Sequence, residues 1–191
     1  PVMLIALFLL DAGLSIGQVF IANALFSAGM VVFEIPTGVI ADTLGRRVSY
    51  LLSVSILALT TALYLIAAQA ESSVWVFGAV SILMGLGFTF YSGALEAWLV
   101  DALSTVDSDE RLDHVFARGQ QVSGAAMLVG TITGGLLGQI DLAVPFLVRS
   151  GLLIAVFGIA AILMHDIGFE TRPLEVRRIP RAMTDQARVG I

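Results

Sequence analysis

An all-α membrane protein of six transmembrane helices is the fold class this 191-residue sequence predicts, and three observations carry it. Apolar residues make up 58% of the chain and charged residues only 13%, where an ordinary soluble domain carries roughly 25% charged residues. Mean hydropathy is +0.95. Four stretches lack any charge, 12–33, 48–70, 72–95 and 119–140, with lengths of 22, 23, 24 and 22 residues. About 20 apolar residues cross the hydrocarbon core as a helix. None of these stretches alternates with period 2, so a transmembrane β-barrel does not fit.

The elements follow in order. Span 1, residues 2–10, is too short to cross, and it follows Pro1 without a basic segment or a small-residue cleavage site. The chain therefore reads as a fragment that opens inside helix 1. After a turn at 11–14, Ser15 and Gln18 form a capping box that starts span 2, residues 15–41. Span 3 covers 45–70. Span 4, residues 73–102, opens beside Ser72 and Ser73, both good caps. The segment 103–115 holds Asp107, Asp109, Glu110, Arg111, Asp113 and His114 and reads as a solvated loop. Span 5 covers 116–140 and span 6 covers 142–165, the latter interrupted by Arg149 and His165. Residues 1–166 thus form one six-helix bundle. Residues 167–191, polar and carrying Pro173 and Pro180, read as a linker.

Arginine sets the orientation. The chain has ten arginines and no lysine. Arg46, Arg47, Arg111, Arg118, Arg172, Arg177, Arg178, Arg181 and Arg188 fall on one side if every span crosses, whereas Asp11, Glu71 and Asp141 fall on the other. Loops rich in arginine stay in the cytoplasm. Both ends are expected there, in a protein of the plasma membrane. With no cysteine and two isolated histidines, neither a thiolate nor a metal site is expected, nor a cofactor or a nucleic-acid partner.

Between spans 2 and 3 stands Gly38-x-x-x-Asp42-x-x-Gly45-Arg46-Arg47. Gly45 breaks the helix and the arginines hold the turn on the cytoplasmic side. This pattern resembles the loop between helices 2 and 3 of the major facilitator superfamily of transporters. The resemblance implies the amino-terminal half of a twelve-helix fold, made of two inverted three-helix repeats. A loose echo of the end of span 2 in 134–142 agrees with that. It also implies a charge cluster of Asp42, Arg46 and Asp101 that latches the outward-facing state against a missing carboxy-terminal half. Asp42 and Arg46 are four residues apart and share a face if the turn stays helical.

An ionisable side chain in the hydrocarbon is a functional candidate by default. Glu34 lies about 12 Å inside the cytoplasmic end, two residues before Pro36, which frees the carbonyl of Val32. It reads either as a proton carrier or as a packing acid. Glu96 lies about 7.5 Å above Asp101. The resemblance places span 4 against the central cavity, so Glu96 is a proton or substrate residue, with Tyr91 and Trp98 as possible lining; otherwise it pairs with Arg118. Arg149 lies about 12 Å below the outer surface and reads as a structural ion pair or a snorkelling arginine before a transport residue. Span 5 carries Gly130, Gly134, Gly135 and Gly138, whose spacing allows close helix contact. That run resembles the span-5 motif of drug–proton antiporters, with Gly135 in place of the usual proline and Gln139 in place of the last glycine.

The resemblance implies a secondary active transporter of small organic solutes in the lipid bilayer, working by alternating access as a proton-coupled exporter. Uptake of sugars or nutrients is the alternative, as is a half that is inert alone. An intramembrane protease would need a Gly-x-Ser-Gly turn or paired membrane aspartates. Ser92-Gly93 has Phe90 where that glycine belongs, and the aspartates lie at span ends, so no enzyme is expected.

Overall fold

The computed structural model describes residues 2–104 and 109–167, and these are helical with short turns, with no strand among them. The helices are α1 (Val2–Asp11), α2 (Ile16–Leu44), α3 (Arg46–Gln69), α4 (Val74–Ser104), α5 (Asp109–Gly138) and α6 (Val144–Leu163). All but α1 are long and apolar enough to cross a membrane, which makes five. With 10 residues, α1 is well short of the roughly 20 that crossing needs.

Local chemistry accounts for the helix ends. Ser15 accepts from the Gln18 backbone at 3.4 Å, and the Gln18 side chain accepts from the Ser15 backbone at 2.8 Å, closing the capping box that opens α2. Pro36 does not break α2, which runs through it. The Thr37 hydroxyl donates to the carbonyls of Phe33 and Glu34 at 2.7 and 3.1 Å. Between α2 and α3 a single residue, Gly45, makes the turn at φ +99°, a backbone conformation that favours glycine. The Asp141 carboxylate accepts from the Ala143 backbone at 2.7 Å and turns the chain into α6.

One boundary differs from the sequence reading. The segment 103–115, expected to be a solvated loop, is helical from Asp109 onward. Acids are favoured in the first turn of a helix by its dipole, and a helix of 30 residues can extend beyond the bilayer. Residues 105–108 and the expected linker from 168 onward lie outside the described residues, as do the five arginines of that linker.

Helix α4 is the centre of the bundle, with α2 and α3 packed along it. Helix α6 lies on α3, while α1 and α5 make few contacts with the rest. Small residues bring α2 and α4 together. A Cβ on Gly29 would lie 2.7 Å from the Ile82 carbonyl oxygen, and one on Gly85 would lie 2.7 Å from the Phe26 oxygen and 2.9 Å from the Met30 nitrogen. Such close approach gives dispersion contact where lipid supplies no hydrophobic drive. On its other side α4 is hydrogen-bonded to α3. Ser53 donates to the Gly87 carbonyl at 2.8 Å, and Tyr64 and Ser81 share a bond of 2.6 Å. Phe8, Tyr64, Phe77 and Phe146 add a ring cluster that joins α1, α3, α4 and α6.

Candidate functional site

The site is built at the bundle end where α2 stops and α3 starts. Because α2 runs to Leu44 and α3 begins at Arg46, Asp42 and Arg46 lie one turn apart across Gly45. Arg46 Nη1 donates to Asp42 Oδ1 at 2.7 Å, and its Nε donates to Asp101 Oδ2, near the end of α4, at 3.0 Å. The Arg46 side chain is 14% exposed, against 43% for Asp42 and 25% for Asp101. A surface ion pair contributes about 0–1 kcal/mol. A largely buried guanidinium held by two carboxylates is the stronger case, because its charge has left the solvent. One arginine thus ties α2, α3 and α4 together.

Arg47 faces α6 instead. Its Nη2 donates to the Ala161 carbonyl at 2.6 Å, so the side chain caps the end of α6. Its backbone N–H donates to Asp166 Oδ1 at 2.8 Å. Gly45 offers α3 no side-chain cap, and Asp166 supplies one from 119 positions away. A Cβ on Gly45 would lie 2.6 Å from Asp166 Oδ2, so the glycine gives both the turn and the space. Trp98 Nε1 donates to the His165 carbonyl at 2.7 Å and fixes the same stretch of chain to α4. The two antiparallel helices α3 and α6 therefore cap each other. Sequence reasoning missed Asp166, Ala161 and His165. The available signal was that α3 opens on glycine, which cannot cap, so its first N–H groups needed an acid from elsewhere.

The family model of the Major Facilitator Superfamily matches residues 1–187 of the chain. The chain belongs to that superfamily. It is 25% identical over 141 residues to "Uncharacterized MFS-type transporter YxaM" of Bacillus subtilis (strain 168), covering 74% of this chain and 33% of the relative. It is 27% identical over 143 residues to "Tetracycline resistance protein, class E" of Escherichia coli, covering 75% of this chain and 33% of the relative. The chain thus matches about a third of the length of these curated relatives, 33% of each. No solved structure gives a significant match.

The remaining candidates of this facilitator chain are spread along the bundle. Glu34 and Glu96 are both exposed, and their carboxylates form no hydrogen bond or ion pair among the described residues. Glu96 in particular does not pair with Arg118. Tyr91 is exposed, with its ring centroid 6.0 Å from that of Tyr50. Trp98 is engaged by the His165 carbonyl, and the ring of Tyr91 pairs with Tyr50 rather than with Trp98. Arg149 is half-buried and faces the inside of the bundle, where it lines cavities on both sides of the start of α1. It forms no ion pair among the described residues, so the structural-pair reading finds no partner there.

The glycines also divide. A Cβ on Gly38 would have nothing within 4 Å, so this residue is not a close-packing one within the bundle. On α5, Gly130 and Gly135 are equally open. A Cβ on Gly134 would lie 2.7 Å from Leu4 Cδ1, and one on Gly138 would lie 3.4 Å from Leu142 Cδ2.

Proposed function

We propose that this chain is the amino-terminal half of a secondary active transporter that exports small organic solutes by alternating access, driven by protons. The observation that carries the reading is the Arg46 bridge to Asp42 and Asp101, set at a single-glycine turn between two long apolar helices. An interfacial charge cluster can be closed in one state and opened in another, which is what a latch between alternating conformations requires. Membership of a transporter family supports transport, and a relative named for tetracycline resistance supports the outward direction.

In this reading six helices cross, and the 2–3 turn faces the cytoplasm. The exposed faces of α2 and α5 meet a second six-helix half, joined through residues 167–191. Solute and protons pass between the halves. Glu96 lies on an exposed face of the central helix α4, where it can meet both cavity water and solute, so it is the proposed proton carrier and Glu34 the reserve.

The test uses the full-length protein in proteoliposomes. Glu96→Gln is expected to abolish pH-gradient-driven transport while solute binding persists. If Glu34→Gln abolishes it and Glu96→Gln does not, the role moves to Glu34. If neither change matters, proton coupling through this half is wrong. Single cysteines at Ser108 and Glu71 are expected to label from opposite sides of the membrane, and labelling from one side overturns the topology.

A further inference from the structure

Among the helices lies an open-sided cavity of about 590 Å³, walled by α1, α2, α3, α4 and α6. Its wall is mostly apolar, with Phe26, Phe88 and Tyr91 among the aromatic members. Five polar side chains complete it: Asn23, Tyr64, Ser81, Tyr91 and Arg149. A volume of roughly 300–1,000 Å³, an apolar wall and a few convergent polar groups are the marks of a small-molecule site.

The hydrogen bonds reveal which of those groups remain available. Ser81 donates its proton to the Phe77 carbonyl at 2.8 Å. Its 2.6 Å bond with Tyr64 must then have the tyrosine as donor. Each hydroxyl has one proton, so the relay from Tyr64 to Ser81 to Phe77 uses both. The donors left for a guest are the Asn23 amide, the Tyr91 hydroxyl and the Arg149 guanidinium. The guanidinium carries a fixed charge and five N–H groups in a planar fork, and none of them makes a hydrogen bond or ion pair among the described residues. Tyr64, a neutral group, shares the cavity wall with it. A cation inside a membrane bundle with only a neutral neighbour is costly, and a planar anion matches its geometry.

We infer that this cavity binds a small organic anion, an aromatic or apolar body bearing one carboxylate, with Arg149 as the carboxylate anchor. The apolar wall takes the body, and Asn23 and Tyr91 are the further donors. Ile16, Phe20 and Tyr91 of that wall are exposed, so the cavity opens on the face proposed above to meet the second half, and the inference rests on that reading. Because the site is read by binding and not by transport, the two failures are distinguishable.

The experiment is isothermal titration of the full-length protein in lipid nanodiscs with salicylate and, as the neutral comparator of equal shape, salicylamide. Salicylate is expected to bind at least about tenfold more tightly than salicylamide, the worth of one charge-assisted fork. Arg149→Gln is expected to remove that preference, and Arg149→Lys, which keeps the charge and loses the fork, to reduce it severalfold. Equal binding of the two probes overturns the proposal, as does no binding of salicylate, the result if another carboxylate of the protein already holds the guanidinium. A preference that survives Arg149→Gln also overturns it. Should that variant fail to fold, Arg149→Lys decides, and an undiminished preference in it has the same force.

Discussion

Glycine is used in two opposite ways in this bundle. At the α2–α4 crossing, Gly29 and Gly85 let two backbones touch, and a methyl group at either position would meet main-chain atoms about an ångström too close, at 2.7 Å. Along α5, Gly124, Gly130 and Gly135 have nothing within 4 Å, and nearly every described residue of that helix is exposed. The first set holds the bundle together. The second leaves a smooth face with no partner among the described residues. The same residue thus means packing at the α2–α4 crossing and an open surface along α5.

The largest effect should come from the crossing. Gly85→Leu would force α2 off α4, because the obstructing atoms belong to the backbone of Phe26 and Met30 and cannot rotate away. Overpacking typically costs about 1–3 kcal/mol, and this site belongs at or beyond the upper end. Unfolding of the full-length protein in detergent would measure it. A loss below about 0.5 kcal/mol, the range of ordinary surface changes, would break the contrast between the two helices.

The mutual caps of α3 and α6 come next. Asp166→Ala removes the carboxylate that receives the Arg47 N–H, and losing such a cap costs about 1 kcal/mol. Asp166→Asn keeps an acceptor oxygen and should recover most of the loss. The two variants separate capping from charge in the same unfolding measurement. Gly45→Ala should cost more than Asp166→Ala, since it adds a strained positive φ to a clash with that same carboxylate.

The Arg46 bridge should affect function before stability. Asp42→Asn leaves a neutral acceptor beside Arg46, and Asp101 still holds the other side of the guanidinium. Asp42 is the more exposed of the two acids, so solvent screens its share of the bridge, and expression should change little while transport by the full-length protein falls. Equal losses in expression and transport would make the bridge a folding element only.

What could be read in advance follows from the range of each interaction. The helices were legible because charge-free runs of more than 20 residues declare themselves locally. The proximity of Asp42 to Arg46 was legible because helical spacing fixes it. Asp101 needed the resemblance, since 55 positions separate it from Arg46. The partners of Arg47 and Trp98 include backbone carbonyls of Ala161 and His165, which carry no residue identity to read. The direction of Arg149 was hidden too. A position eight residues into a span gives depth, but rotation about the helix axis comes only from packing. The α2–α4 seam did leave a signal. Ala22 and Gly29, like Gly78 and Gly85, are seven residues apart, so each pair lies on one helical face.

The smallest effect should lie on α5, and it sharpens the contrast most. Gly130→Ala places a methyl group in open space. Alanine is favoured over glycine in a helix by about 1 kcal/mol, so stability should stay level or rise slightly. Gly130→Leu carries the further test. Within this bundle its Cβ has open space, and unfolding of the half should shift by less than about 0.5 kcal/mol. If the second half packs on this face, as proposed, the same leucine holds the two halves apart and lowers transport in the full-length protein. Unchanged stability with reduced transport would give the α5 glycines an interface role. Unchanged stability with full transport would leave them facing lipid, where a glycine and a leucine are equally at home.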